Sequence, residues 1–138
     1  MDTEQLAQEF IDRTLAKEAF THQAHLRVGL WHVLRYPADE ALDLLRERIR
    51  SFNVAKGGEN TASAGYHETI TRFYLVIIRQ FTGSADPHRP IDELAQELIE
   101  RFGDRELPLR YFTRARLYSA EARLAWLEPD LKPLDHPA

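Results

Sequence analysis

The sequence predicts an all-α fold, and three observations carry that expectation. Apolar residues recur at intervals of three and four along most of the chain, the repeat of a helix with one buried face. Prolines, glycines and short polar runs stand between these stretches and stop helices. No stretch alternates apolar and polar residues with period two between hairpin turns, so no strand is expected.

Taken in order, residues 2 to about 18 read as a helix, with Asp2 as its cap, Gln5 at the capping-box position, and Leu6, Phe10, Ile11 and Leu15 facing inward. Thr21 caps a second helix, residues 21 to 36, with Phe20 as a staple before it and Pro37 as its stop. A third helix runs from Asp39, its expected cap, to Ala55, and buries Ala41, Leu42, Leu45, Ile49 and Phe52. Gly57 and Gly58 end it, and a polar loop leads to Gly65. From about Ala62 to Phe81 the pattern is again helical and so apolar, with Tyr66, Ile70, Phe73 and Ile77, that this helix is expected at the centre. Residues 91 to 102 form an amphipathic helix with Gly103 as C-cap. In the last third, Leu109, Phe112, Leu117 and Tyr118 offer apolar anchors. Ser119 caps a short helix, and an extended tail packs through Leu131 and Leu134. The expected architecture is one helical domain, residues 1–138, with a four-helix core, short C-terminal helices and that tail.

Composition bounds the function. A chain of 138 residues suits a single core. Its net charge of −4 lacks the basic footprint of a nucleic-acid binder. The longest apolar run, residues 73–78, is too short to span a bilayer, and no basic and apolar leader opens the chain, so the expected location is cytoplasmic with no membrane partner. Without cysteine, metal chemistry falls to histidine and carboxylate.

Two motifs carry that chemistry. In Phe20-Thr21-His22-Gln23-Ala24-His25-Leu26-Arg27 two imidazoles lie one turn apart, and the inward row reads His22, His25, Leu26, Gly29, Val33. In Gly65-Tyr66-His67-Glu68-Thr69-Ile70-Thr71-Arg72-Phe73-Tyr74 a third histidine shares a stripe with Thr71 and Tyr74. Glu68 is read as an exposed partner of Arg72, four residues on, or as a carboxylate within reach of a metal. The zincin pattern H-E-x-x-H fails because position 71 is threonine. The di-iron pattern fails because no glutamate stands three residues before a histidine of either motif.

What remains is a three-histidine set, His22, His25 and His67, able to hold a divalent transition metal, zinc or iron, with one position open. It forms only if helices two and four run parallel. The expected function is a small-molecule enzyme, a metal-dependent hydrolase or oxidoreductase or a metal-free acid-base catalyst, with His25 and His67 catalytic. Arg27, Tyr66, Glu68, Thr71 and Tyr74 would contact a small polar substrate. The alternatives are a non-catalytic module that binds a small ligand or a metal, and an interaction protein that forms a homodimer through Trp31, Trp126 and the helix over 91–102. His32, beside Trp31, is read as a surface or interface residue, and His88 and His136 as solvated.

The motifs F-T-H-x-A-H-L-R, Y-H-E-T-I-T-R and S-x-E-A-R-x-x-W-x-E-P-D-L-x-P-L, from Phe20 to Leu134, resemble those of a family of small, functionally uncharacterised bacterial all-helical proteins. The resemblance implies a helical domain that keeps a histidine-rich site, and no particular activity. The expected bundle is also similar in architecture, though not in histidine spacing, to DinB-like metal-binding proteins.

Overall fold

Helix α2 (His22–Arg35) is the hub of the bundle. The computed structural model describes residues 1–135 and is all-α, with no strand among them. In it α2 packs against α1 (Thr3–Asp12), α3 (Ala38–Ala55), α4 (Glu68–Gly83) and α5 (Ile91–Phe102). Its sequence explains why: Val28, Gly29, Leu30, Trp31, His32 and Val33 are all buried, and a helix without a polar face needs neighbours on every side. Two short helices, α6 (Arg114–Leu117) and α7 (Ala120–Leu124), follow.

The central place expected for α4 therefore falls to α2, and α4 instead divides two cores. Its Leu75, Ile78 and Phe81 join Leu6, Phe10, Leu26, Leu45 and Leu98 in the larger one. Its Phe73 and Ile77 join Leu107, Phe112, Leu117 and Leu134 in a smaller C-terminal one. A helix with apolar residues on two faces reads as central in sequence. Here the second face is covered by irregular chain and short helices.

Local rules set most helix starts. Asp2 accepts the Gln5 N–H at 2.7 Å, Thr21 that of Ala24 at 3.2 Å, and Ser119 that of Ala122 at 3.1 Å. Asp39 is not the cap of α3. Pro37 occupies that place, and Asp39 accepts from Glu40 within the first turn.

Two boundaries differ from the sequence reading by several residues. α1 stops at Asp12, where Arg13 adopts a left-handed conformation (φ 62°) and its N–H closes onto Glu9 and Phe10. Continuing the helix would extend its buried row, Thr3, Leu6, Ala7 and Phe10, into Arg13, Thr14 and Lys17, which cannot be buried. The turn instead brings Leu15 into the core at 1% exposure. α4 begins at Glu68 rather than near Ala62. Ahead of it Gly65 has φ +82° and sits against the Glu59 carbonyl, where any Cβ would collide.

The tail is anchored on one of its two expected residues: Leu134 is buried, whereas Leu131 is 57% exposed and holds on through its N–H to the Tyr111 carbonyl. Tyr118, expected as an apolar anchor, is 54% exposed. His136 lies outside the described residues. Among the described residues no helix is long and apolar enough to cross a membrane.

Candidate functional site

Two contacts fix how α2 lies on α4. The His22 ring meets that of Tyr74 edge-on at 5.5 Å, and a Cβ on Gly29 would stand 2.9 Å from Ile78 Cδ1. Moving along α2 from His22 to Gly29 thus moves along α4 from Tyr74 to Ile78, so the helices run in the same direction, as the three-histidine site requires.

Between them opens a cavity of about 470 Å³. Its α2 wall is the row expected from spacing, His22, His25, Leu26 and Gly29, without the more distant Val33. Leu45 and Ile49 of α3 and Ile70, Thr71, Tyr74, Leu75 and Ile78 of α4 form the sides. Arg105, Pro108 and Tyr118 complete it from the C-terminal third. The walls are mainly apolar, aliphatic and aromatic, with a few polar groups, as in most small-molecule sites.

His25 is held in a defined state. Its ring stacks on Phe20 with centroids 3.7 Å apart, and Nδ1 lies 2.8 Å from the Thr21 carbonyl. A carbonyl only accepts, so Nδ1 carries the hydrogen and Nε2 presents its lone pair, with no hydrogen-bond partner among the described residues. The residue as a whole is exposed to solvent, while one face of its ring is covered by Phe20. Burial lowers its pKa against the opposing Thr21 bond, and the charges of His22 and Arg105 lower it further. His22 is half-buried, and its buried Nε2 has no partner among the described residues. Burial lowers its pKa too, with Arg105 adding and Asp104 opposing. Burial raises the Tyr74 phenol above its ordinary range, and the nearby Asp104 carboxylate adds to this. The hydroxyl makes only a long 3.5 Å contact to the Asp104 carbonyl.

His67 does not join this pair. It is the N-cap of α4: Nδ1 accepts the Ile70 N–H at 3.1 Å, which leaves Nε2 to donate to the Leu117 carbonyl at 2.7 Å. Both ring nitrogens are used, so the ring can neither ligate a metal nor exchange protons with a substrate in this position. Among the described residues no group of three or more His, Asp or Glu side chains is placed to hold a metal ion.

The other expected ligand contacts separate. Thr71 and Tyr74 line the cavity, although Thr71 Oγ1 donates to the His67 carbonyl at 2.8 Å. Arg27 is structural: it donates to Thr3 Oγ1 and to the Met1 carbonyl and lies 3.7 Å from Asp92, linking α2 to α1 and α5. Glu68 is buried rather than exposed, and its partner is Arg46 of α3, not Arg72. Arg46 grips both carboxylate oxygens, at 2.9 and 2.7 Å, and the Tyr66 hydroxyl donates to one of them at 2.8 Å. Burial alone would raise the Glu68 pKa, but these bonds bring it below the usual range.

Trp31 and His32 are also misplaced by the surface reading. Trp31 is buried and donates to Glu4 at 2.6 Å. His32 has no exposed surface, its Nδ1 bonds the Val28 carbonyl at 2.8 Å, and Arg48 donates to its Nε2 at 2.9 Å. His88 is exposed, as expected. Among the polar residues of the cavity, Arg105 and Tyr118 are the ones the motifs did not reveal. Arg105 sits in a polar turn without periodicity, and only the packing of the C-terminal third brings it to the mouth.

Fold and site thus define an all-α bundle with an apolar, imidazole-bearing cavity between parallel helices. No family model, no curated protein and no solved structure matches the chain.

Proposed function

We propose that the α2–α4 cavity is the site of a small-molecule enzyme in which His25 acts as general base on a ligand with a largely apolar body and one polar or anionic group. The observation that carries this reading is the His25 ring, fixed by Thr21 and Phe20 with its Nε2 lone pair unused in a cavity. A base must be unprotonated at working pH, and the lowered pKa of His25 keeps it so.

The steps follow from the walls. The ligand's apolar body lies against Leu26, Leu45, Ile49 and Ile78. Nε2 of His25 takes a proton from the ligand, and the resulting imidazolium keeps its Nδ1–H bond to the Thr21 carbonyl. Negative charge developing on the ligand is met by Arg105 and by the Tyr74 and Tyr118 hydroxyls. His22 offers its unpartnered Nε2 to the ligand's polar group. Zinc or iron chemistry needs a further ligand beyond His22 and His25, since catalytic zinc ordinarily takes three from the protein.

The test is a titration of the native chain with a panel of small aromatic and aliphatic carbonyl acids. The ring C–H resonances of His22 and His25 are followed by NMR, with exposed His88 as control. Ligands of the right class move the first two and not the third. For any binder, exchange of the carbon-bound hydrogen next to the carbonyl with solvent deuterium reports proton abstraction and is lost in His25→Gln. Binding without exchange or conversion leaves a binding module in place of an enzyme. A panel that moves neither histidine removes the cavity from consideration.

A further inference from the structure

A second recess borders α4 and shares no lining residue with the histidine cavity. It encloses about 320 Å³ and draws its walls from α3, the loop before α4, α4 itself, and α7 with the chain after it. Its polar lining is dominated by arginine: Arg46, Arg50, Arg72 and Arg123 meet a single carboxylate, Glu68.

That carboxylate is already spent. Both its oxygens are taken by Arg46, and the Tyr66 hydroxyl shares one of them. The remaining guanidinium groups are short of acceptors. Arg123 donates once, to the Gly65 carbonyl at 2.7 Å, and Arg72 lies 5.1 Å from the centre of the Trp126 ring without a hydrogen bond. Arg50 makes no side-chain hydrogen bond or ion pair among the described residues. Nearby acids do not cancel the excess. Asp43 bonds the outer side of Arg46 with its own side chain 73% exposed, and Glu128 accepts from the Trp126 indole.

The frame around these donors is fixed. Asn60 accepts from Asn53 and from the Tyr66 N–H and donates to the Arg50 carbonyl, which pins the loop to α3. The Glu68 bond pins Arg46, and the Gly65 bond pins Arg123. Arg46 and Arg123 are thus held while Arg50 and Arg72 keep unspent N–H groups, and guanidinium groups converging on one recess recognise planar or tetrahedral oxyanions and favour a dianion over a single carboxylate.

We propose that this recess is a binding site for a phosphate group carried by a small metabolite. Its volume is at the low end for ligand sites, which suits a compact phosphorylated molecule. A confined recess on an acidic chain is not the extended basic surface that nucleic acid requires.

The probes are inorganic phosphate and pyrophosphate, titrated into the native chain with chloride adjusted to hold ionic strength constant. In nitrogen-edited NMR the Trp126 indole resonance shifts saturably, while the Trp31 indole, bonded to Glu4 on another face, stays still and reports an intact fold. Arg50→Gln and Arg72→Gln each weaken binding by about tenfold, the loss expected for one charge-assisted contact. Equal shifts in chloride and phosphate overturn the proposal, as does unchanged affinity in both variants. Binding of a single-stranded oligonucleotide with no response to either phosphate probe overturns it in favour of a nucleic-acid surface.

Discussion

The His22 ring packs against Tyr74, and Tyr74 stands seven residues beyond His67. At the helical rise of about 1.5 Å per residue that offset is roughly 10 Å. The parallel arrangement of α2 and α4 therefore brings the two motifs together through Tyr74 and Thr71, and leaves His67 two turns away. A register shift of about two turns between the helices would be needed to set His67 beside His22.

His67 should consequently behave as a structural residue. His67→Ala removes the cap of α4 and leaves the buried Leu117 carbonyl without its donor, a loss of about 2–3 kcal/mol. The denaturant midpoint falls accordingly, while the ring resonances of His22 and His25 keep their titration curves. A shift of those curves with little loss of stability would instead put His67 at the site.

The sequence made legible what local chemistry decides. The caps Asp2, Thr21 and Ser119 are set by residues three positions away, and the cavity row His22, His25, Leu26 and Gly29 by the helical repeat alone. What it concealed depends on contacts between distant segments. Glu68 has an eligible partner at Arg72 on its own helix, yet it pairs with Arg46, twenty-two residues earlier, because the first turn of α4 packs on α3. The same holds for Arg105 and for the burial of Trp31 and His32, which follow from α2 being surrounded.

The Glu68–Arg46 pair gives the second prediction. Glu68→Gln keeps the shape but removes the charge opposite a guanidinium. Breaking a buried pair costs about 3–5 kcal/mol, and the partial exposure of Arg46, 34% at its side chain, reduces that to about 2 kcal/mol. Since the folded carboxyl has a lowered pKa, its contribution is present above the unfolded value near 4.3 and is lost as pH falls through the folded one. Native and variant stabilities, measured by denaturant titration, should converge as pH falls below about 4. A constant gap down to pH 3 would show that the pair does not supply the difference.

Gly29 tests the cavity without touching its polar groups. Gly29→Ala gains about 1 kcal/mol of helix propensity, and its methyl presses on Ile78 Cδ1, the flexible end of a side chain that borders open space. Ile78 moves into the cavity at a cost of similar size, so stability changes by less than about 1 kcal/mol. The cavity shrinks, and ligands found by their effect on His22 and His25 bind at least about tenfold more weakly. Unchanged affinity would place the ligand away from the α2–α4 seam.

The buried His32 gives the fourth prediction, a pH dependence. Its Nδ1–H is committed to the Val28 carbonyl and its Nε2 accepts from Arg48, so a second ring proton would face a guanidinium with nothing to bond. Burial lowers its pKa to about 4, with the Val28 bond opposing and the Arg48 and Arg35 charges adding. A histidine depressed in the folded state binds fewer protons there than in the unfolded chain. Its stability contribution is therefore complete above the unfolded value near 6.5 and declines as pH falls toward 4. The decline is about 2 kcal/mol by pH 5. His22, His25 and His67, all lowered chiefly by burial, act in the same direction. In His32→Gln the side-chain amide can donate to Val28 and accept from Arg48 without titrating, so the fall in denaturant midpoint between pH 7 and 5 should flatten by most of that 2 kcal/mol, about the His32 share. An equally steep fall in the variant would mean that His32 does not remain neutral inside α2, and that the other histidines carry the acid sensitivity.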